Sequence, residues 1–286
     1  MKEVVLATRG SRLARVQAEE VRQALTALGW RVKLRIVSTR GDLNRGGALR
    51  EIGGDGLFVR ELERVLYTGE ADLAVHSGKD LPFQLMEGLV IAGTPKAEDS
   101  RDCLLYPAGK PPYPGSRIGT GSPRRRLECA KWYPGMNYLE IRGNVPTRIE
   151  KLRQGEYDGI ILAKAGLNRL GWSAQDIEIR VFQPEEMLPA PCQGILAVEC
   201  RTEDTELRAA LRQISHEETY RRFLVEREMF GSLKIDCSMA AAAYAEVTED
   251  QVRLRAMLQG KQAEVIGPFE AYPLLCAQLR KRLLEE

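Results

Sequence analysis

Residues 4–37 read VVLATRGSRLARVQAEEVRQALTALGWRVKLRIV, and two kinds of hydrophobic pattern alternate along this stretch. Residues 4–7 and 32–37 are short β-rich runs, whereas residues 11–28 repeat apolar side chains at helical spacing. A helical pattern near residues 57–66 and an apolar run at residues 71–75 continue the alternation. Strands that alternate with helices are typical of βαβ units, so the sequence predicts an α/β fold with a mostly parallel sheet.

Two further segments follow the first α/β pattern. A second α/β pattern runs from about residue 101 until the three prolines of PEEMLPAPCQ (184–193) break it, and the apolar run 195–199 could return to the first sheet. From residue 204, two helical patterns lead to three strand-like runs and a final helix over 272–284, which is typical of a small α+β domain. We therefore predict three domains: residues 1–95 with 189–205, residues 100–185, and residues 208–286.

The composition excludes several classes of protein. The net charge is only +2, and no apolar run approaches the roughly 18 residues that a membrane helix needs. The N-terminal MKEVVLATRG becomes charged before a signal-peptide core develops, so we predict a cytoplasmic protein. No C-x-x-C is present and there are only two histidines, so we expect no metal site. Most of the six cysteines should be free thiols packed as small hydrophobic side chains.

Positive charge is concentrated in one stretch. Residues 117–153 hold nine Lys and Arg against three Glu, a surplus of six positive charges. Within and before this stretch, three candidate strands end in a glycine-containing turn followed by a good helix N-cap, at Ser11, Ser122 and Asn144. Helix N-termini attract anions, and the arginines beside them can bind carboxylate or phosphate through two parallel hydrogen bonds. The alternative is that Arg124, Arg125, Arg126 and Arg148 form a solvated helix face.

Lys79 and Asp80 follow a buried-looking strand in ADLAVHSGKDLP (71–82). An ionised acid at the end of a strand, in a cleft lined by cations, can stabilise a developing positive charge on a substrate. From the residues alone, the favoured alternative is that Lys79 and Asp80 form an exposed ion pair at a turn. The glycine-rich segment 41–56 fits a mobile lid or an inert surface loop. Cys237, in a loop beside Asp236, is either reactive or structural.

Several motifs follow one another along the chain, namely ATRGSRLARVQAEEV (7–21), GLFVRELERVLYTGEADLAVHSGKDLP (56–82), IGTGSPRRR (118–126), IRGNVPTR (141–148), EYDGIILAKAGLNRLG (156–171) and PAPCQGILAVECR (189–201). In this order they resemble the porphobilinogen deaminase (hydroxymethylbilane synthase) family, and the resemblance covers essentially the whole chain. The resemblance implies two α/β domains like those of a type II periplasmic binding protein, with the active cleft between them, and a small C-terminal α+β domain. It also implies an enzyme that acts as a monomer.

The resemblance implies the chemistry as well. The family joins four porphobilinogen molecules head to tail with loss of ammonia, and builds the chain on a dipyrromethane cofactor that a cysteine holds as a thioether. Cys237 matches that cysteine, and Asp80 matches the catalytic aspartate that stabilises the cation formed as ammonia departs. The other matching positions hold the cofactor, namely Ser77, Lys79, Thr120, Ser122, Arg124, Arg125 and Arg148, or the growing substrate, namely Arg9, Ser11, Gln17, Phe58, Arg142 and Arg169.

The chain departs from the family pattern at a few positions. Ile235 and Asp236 replace the usual two glycines before the cofactor cysteine, Gly121 replaces a serine, and Glu51 and Asp55 stand where basic residues are common. Two other functions compete with the enzyme. One is a non-catalytic anion-binding protein, and the other is nucleic-acid binding through residues 117–153, which the near-zero net charge disfavours. We expect neither a nucleic-acid partner nor a membrane partner.

Overall fold

The computed structural model describes residues 2–37, 57–231, 233 and 239–285, with only the backbone at residues 57 and 58. The chain divides into two compact units, Met1–Ala97 with Ile195–Leu224 and Glu98–Gly194 with Val225–Glu286. The three-domain division stays a prediction, and so does the cleft. The candidate lid at residues 41–56 lies outside the described residues.

The first unit contains a five-stranded sheet with one antiparallel strand. Its strands are β1 (Glu3–Arg9), β2 (Arg31–Val37), β3 (Leu73–Ser77), β4 (Leu89–Gly93) and β10 (Leu196–Arg201), in the order β2-β1-β3-β10-β4. β1 pairs in parallel with β2 and β3, whereas β10 runs antiparallel to β3 and β4. The apolar run at residues 195–199 does return to the first sheet, as the sequence predicts.

Helices cover both faces of this first sheet. They are α1 (Arg12–Ala27), α2 (Leu57–Tyr67) and α6 (Thr205–Gln213), and α7 (Glu217–Gly231) follows α6 in the chain. Val21 and Leu25 of α1 pack with Leu6 of β1, while Leu62 of α2 packs with Ala7 on the opposite face. Successive strand residues point to opposite faces, so both faces of β1 are apolar and the strand is buried on both sides.

The second unit repeats this sheet topology. Its strands are β5 (Asp102–Pro107), β6 (Arg117–Gly119), β7 (Asn137–Leu139), β8 (Gly159–Ala163) and β9 (Ile177–Val181), in the order β7-β6-β8-β5-β9. Here β5 is the antiparallel strand, between β8 and β9. The carboxyl ends of β6, β7 and β8 therefore meet at one edge together with the start of β5.

The helices α3 (Pro123–Trp132), α4 (Val145–Arg153) and α5 (Lys164–Arg169) connect the strands of the second sheet. The second unit also contains a three-stranded antiparallel sheet, β11 (Ala241–Val247), β12 (Gln251–Leu258) and β13 (Lys261–Pro268), followed by α8 (Tyr272–Leu284). These elements confirm the predicted fold class, with two α/β sheets and a small C-terminal α+β part.

His216 caps the N-terminal end of α7, and the neighbouring Ser215 makes a different contact. The backbone N–H of Thr219 donates to His216 Nδ1 at 3.4 Å, and the Ser215 hydroxyl accepts from the N–H of Thr94 at 3.0 Å. Within the described ranges, no helix combines the length and the apolar character that crossing a lipid bilayer requires.

Candidate functional site

The three predicted helix caps are all confirmed. The side chains of Ser11, Ser122 and Asn144 accept hydrogen bonds from the backbone N–H groups of Ala14 (3.2 Å), Arg125 (3.4 Å) and Thr147 (3.0 Å), respectively. Each cap follows the carboxyl end of a parallel strand. The N-terminal ends of α1, α3 and α4, with their partial positive charge, are therefore located where open α/β sheets bind ligands.

In the first unit, predicted site residues follow two neighbouring parallel strands. We call Arg9, Ser11, Ser77, Lys79 and Asp80 the first edge cluster. Arg9 ends β1 and Ser11 follows it, whereas Ser77 ends β3 and is followed by Lys79 and Asp80. The strands β1 and β3 pair directly. Lys79 and Asp80 are exposed on a single 3₁₀ turn, in which the Leu81 N–H donates to the carbonyl oxygen of Gly78 at 3.3 Å.

Gln17 connects α1 to the first edge cluster. Its side chain is buried, and its Nε2 donates to Ser77 Oγ at 3.0 Å. The N–H of Gly78 donates to the carbonyl oxygen of Ile195 at 2.9 Å, which anchors the start of the Lys79–Asp80 turn to the residue before β10. The turn that presents Asp80 is thus fixed at its base by two hydrogen bonds, one from a side chain and one from the backbone.

Three buried titratable residues, which the sequence analysis did not single out, lie beneath this edge. His76 Nε2 lies 2.9 Å from Glu199 Oε2, and both side chains are nearly inaccessible to solvent. Glu63 accepts from the N–H of Met86 at 3.0 Å, and burial raises the pKa of its carboxyl group, with the Glu199 charge adding to the rise. The only signal in the sequence was a Glu within an apolar run, at residue 199.

In the second unit, we call Thr120, Ser122, Arg124, Arg125, Arg142 and Arg148 the second edge cluster. Thr120 follows β6 and is buried. Its backbone N–H donates to the carbonyl oxygen of Leu139 at 2.8 Å, and its Oγ1 accepts from the N–H of Ser122 at 3.2 Å. Both hydroxyl groups are therefore placed at the N-terminal end of α3, as the sequence predicts. Their predicted contact with a cofactor stays a prediction.

Arg124 and Arg125 do not form a solvated helix face. Their exposed fractions are 3% and 8%, and both guanidinium groups pair with Asp102, which is completely buried. Arg124 Nη1 lies 2.7 Å from Asp102 Oδ2, and Arg125 Nη2 lies 2.7 Å from Asp102 Oδ1. The solvated-face alternative is wrong for these two residues and correct for Arg126, which is exposed.

The remaining predicted arginines contact backbone or side-chain oxygens. Exposed Arg142 pairs with Glu140, and half-buried Arg148 donates from Nε to the carbonyl oxygen of Gly143 at 2.7 Å. Gly143 has φ +110°, and a Cβ there would lie 2.8 Å from Thr147 Cγ2, so this turn requires glycine. Arg169, at the end of α5, donates from Nη2 to the carbonyl oxygen of Gly194 at 3.0 Å.

Some predicted site residues cannot be placed. Cys237 lies outside the described residues, as does the side chain of Phe58, although the backbone of Phe58 belongs to α2. The five cysteines that the structure describes are all buried, and none of them is in a disulfide. Among the residues with described positions, no group of three or more His, Cys, Asp or Glu side chains is arranged to hold a metal ion.

Each edge by itself carries donors that suit carboxylate groups. Guanidinium groups, hydroxyl groups and capped helix N-termini are present at both edges, and the ammonium group of Lys79 is present at the first. Comparison with known proteins identifies such a family. The model for "Porphobilinogen deaminase, dipyromethane cofactor binding domain" matches residues 4–209. The chain belongs to the porphobilinogen deaminase family.

Curated porphobilinogen deaminases match most of the chain. The protein of Streptococcus sanguinis (strain SK36) is 41% identical over 93% of this chain and 89% of its own length. That of Geobacillus kaustophilus (strain HTA426) is 39% identical over 100% of this chain and 97% of its own length. Porphobilinogen deaminases make hydroxymethylbilane in tetrapyrrole biosynthesis, so the predicted transferase function is confirmed.

Two solved structures are also similar to this porphobilinogen deaminase family member. The periplasmic VFT2 domain of Bordetella pertussis BvgS has a TM-score of 0.43 and 16% identity, and covers 78% of this chain and 92% of its own. An arginine-specific periplasmic binding protein of Salmonella typhimurium has a TM-score of 0.43 and 10% identity, and covers 78% of this chain and 97% of its own.

Proposed function

We propose that the two edge clusters bind the acetate and propionate groups of porphobilinogen and of the growing chain. We also propose that Asp80 stabilises the cation formed from the substrate and that Cys237 holds a dipyrromethane cofactor as a thioether. The proposal extends the activity of the family to individual residues of this chain.

The observation that carries the proposal is the charge of the buried group around Asp102. Among the residues that the structure describes, two guanidinium groups share one carboxylate there, which leaves one surplus positive charge at the edge of the second sheet. A surplus charge in a desolvated site favours an anionic ligand, because transfer of an uncompensated charge out of water is costly. Carboxylate groups of the cofactor fit this site in charge and in hydrogen-bonding capacity.

Asp80 supplies the complementary negative charge. It lies on an exposed turn whose base is fixed by Gly78, and Lys79 precedes it on the same turn. A carboxylate at about 4 Å from a developing cation stabilises it by roughly 4 kcal/mol at an effective dielectric constant near 20. When bound, the dipyrromethane group supplies the free pyrrole position to which the first substrate molecule is joined.

The attachment of the cofactor to Cys237 is supported by the properties of the other cysteines. Burial raises the pKa of Cys103, Cys200 and Cys276 to about 12 and that of Cys129 to about 11. Cys192 is also buried, with an exposed fraction of 1%. Because the thiolate is the nucleophile, these five side chains are poor candidates for thioether formation. Cys237 is the remaining cysteine of the six.

We further propose that the protein acts as a cytoplasmic monomer. The absence of disulfides among the five described cysteines is typical of a reducing compartment, which supports a cytoplasmic location. The monomeric state is supported by the family resemblance alone, and sedimentation of the purified protein tests it: a single species at the mass of one chain is expected, and a stable dimer would contradict it.

A matched pair of arginine variants tests the role of the second edge cluster in substrate binding. Arg142 and Arg153 are both exposed and both ion-paired, to Glu140 and to Asp176 respectively, but only Arg142 is at the predicted edge. We expect R142Q to raise the KM for porphobilinogen about tenfold, the effect of one charge-assisted hydrogen bond, and R153Q to leave it near the wild-type value. Equal effects of the two variants would contradict the assignment, and no ammonia release by the wild type would contradict the enzymatic function.

A further inference from the structure

Asp102 is a buried acid that neither the motifs nor the family resemblance assigns to the site. It begins β5 and lies opposite Ala163, the last residue of β8, so it is at the same edge as the ends of the parallel strands. Its exposed fraction is 0%. An ionised carboxylate at such a position is costly unless its oxygens are fully hydrogen-bonded and its charge is matched.

The carboxylate of Asp102 has donors on both oxygens. Oδ2 accepts from Arg124 Nη1 at 2.7 Å, and Oδ1 accepts from Arg125 Nε at 2.9 Å, from Arg125 Nη2 and from Gln193 Nε2 at 3.1 Å. Arg125 thus contacts Asp102 through two of its nitrogens, an arrangement that fixes the plane of the guanidinium group. The geometry is too specific for Asp102 to serve only as a diffuse counter-charge.

Backbone carbonyl groups complete the restraint on both arginines. Arg124 Nη1 also donates to the carbonyl oxygen of Leu188 at 2.6 Å, and Arg125 Nη1 donates to that of Ile161 at 3.2 Å. Each guanidinium group is thus held by the carboxylate and by a carbonyl oxygen, so it cannot reorient without loss of several hydrogen bonds. Such a restraint lowers the cost of ordering these side chains when a ligand binds.

The charge balance indicates what these arginines bind. A group that served only to stabilise the fold would be expected to balance its charges, because an unmatched buried charge is destabilising. Within the part of the chain that the structure describes, both arginines form their ion pairs with Asp102, so the group keeps one positive charge in excess. One more carboxylate would neutralise it.

We propose that Asp102 is a positioning residue: it orients Arg124 and Arg125 at the N-terminal end of α3 so that they bind a carboxylate group of the dipyrromethane cofactor. This inference rests on the proposed function. It predicts that a change at Asp102 impairs loading of the cofactor even where the protein remains folded.

The test measures loading rather than turnover. The chain is purified without cofactor from cells that cannot make porphobilinogen, porphobilinogen is added, and intact mass spectrometry follows the gain of two pyrrole units. D102E keeps the negative charge but displaces it by one methylene group, and D102N removes the charge. We expect either variant to need about ten to a hundred times more porphobilinogen for half-maximal loading, as displaced binding groups do.

The matched control is E128Q. Glu128 is on the same helix as the two arginines and is equally buried. Its carboxylate pairs with Lys131 at 2.6 Å, and it accepts from the N–H of Leu188 at 3.0 Å and from Gln262 Nε2 at 2.9 Å. Circular dichroism and thermal unfolding of each protein without cofactor give its folded fraction, so that loading is compared at equal amounts of folded chain. E128Q is expected to load as the wild type does.

Each outcome decides for or against the positioning role. Impaired loading of every Asp102 variant that folds, with normal loading of E128Q, supports it. Normal loading of either folded Asp102 variant overturns it, as does a loss of loading that merely follows the folded fraction in all three variants. If both Asp102 variants fail to fold, the residue is required for the fold and the positioning role is rejected. A wild type that gains no mass contradicts the proposed function itself, and this inference with it.

Discussion

Gly194 provides the most quantitative test of the described geometry. It has φ +87°, and a Cβ at this position would lie 2.4 Å from the carbonyl oxygen of Glu98, well inside the 3.0 Å below which real Cβ contacts essentially do not occur. Because the contact is with the backbone, the segment around Glu98 must shift to accommodate an alanine. G194A is therefore expected to combine backbone strain with a steric clash.

The magnitude follows from a comparison with Gly155. That glycine has φ +73°, but a Cβ there would meet nothing within 4 Å, so G155A carries the strain without the clash. The left-handed conformation costs a non-glycine residue about 1–2 kcal/mol, and overpacking adds about 1–3 kcal/mol. We expect G194A to be less stable than G155A by about 1–3 kcal/mol, where each kcal/mol lowers the unfolding midpoint by about 2–4 °C in a domain of 150–250 residues.

The assay is thermal unfolding of both variants beside the wild type, without cofactor. Cofactor loading adds a second measurement, because the carbonyl oxygen of Gly194 accepts from Arg169 Nη2 and from the N–H of Glu98. A shift of this backbone moves the anchor of a predicted substrate-binding arginine, so G194A should load less cofactor than G155A. Equal midpoints for the two variants would refute the reasoning about the clash.

Two other changes test the first unit. D80A should lower the rate of hydroxymethylbilane formation about a thousandfold, and its unfolding midpoint should be unchanged because the side chain is exposed. The control is E87Q, since Glu87 is also exposed. Near-normal turnover of D80A would remove the role assigned to Asp80. E63Q tests the buried acid. The pKa of Glu63 is raised from 4.5, so the folded chain binds a proton more tightly than the unfolded chain, and the wild type loses stability as the pH rises from 4.5 through the raised value. E63Q lacks this loss, so its urea midpoint relative to the wild type should increase across that range, and parallel pH curves would contradict the burial argument.

The features that depend on local sequence could be predicted. Ser11, Ser122 and Asn144 were identifiable as caps because a short polar side chain after a glycine-containing turn satisfies N–H groups three residues ahead, without help from the rest of the fold. The final helix was predicted with its observed bounds because Leu275, Leu279 and Leu283 recur at helical spacing.

The features that depend on pairing between residues far apart in the sequence could not be predicted. The burial of Arg124 and Arg125 follows from Asp102, which is 22 residues or more away and reaches them only because β5 inserts antiparallel beside β8. Three adjacent arginines in a helix look equally solvated in the sequence, although two are buried and the third is exposed. The pairing of His76 with Glu199, separated by 123 residues, was hidden for the same reason.

The covalent cofactor is the central claim, and the mass of the protein tests it most directly. Wild type and C237S are expressed with porphobilinogen available, and intact mass spectrometry with peptide mapping locates any adduct. The account predicts two added pyrrole units on the peptide that contains Cys237 in the wild type, and no addition to C237S. An unmodified wild type, or an adduct on any of the five buried cysteines, would contradict it.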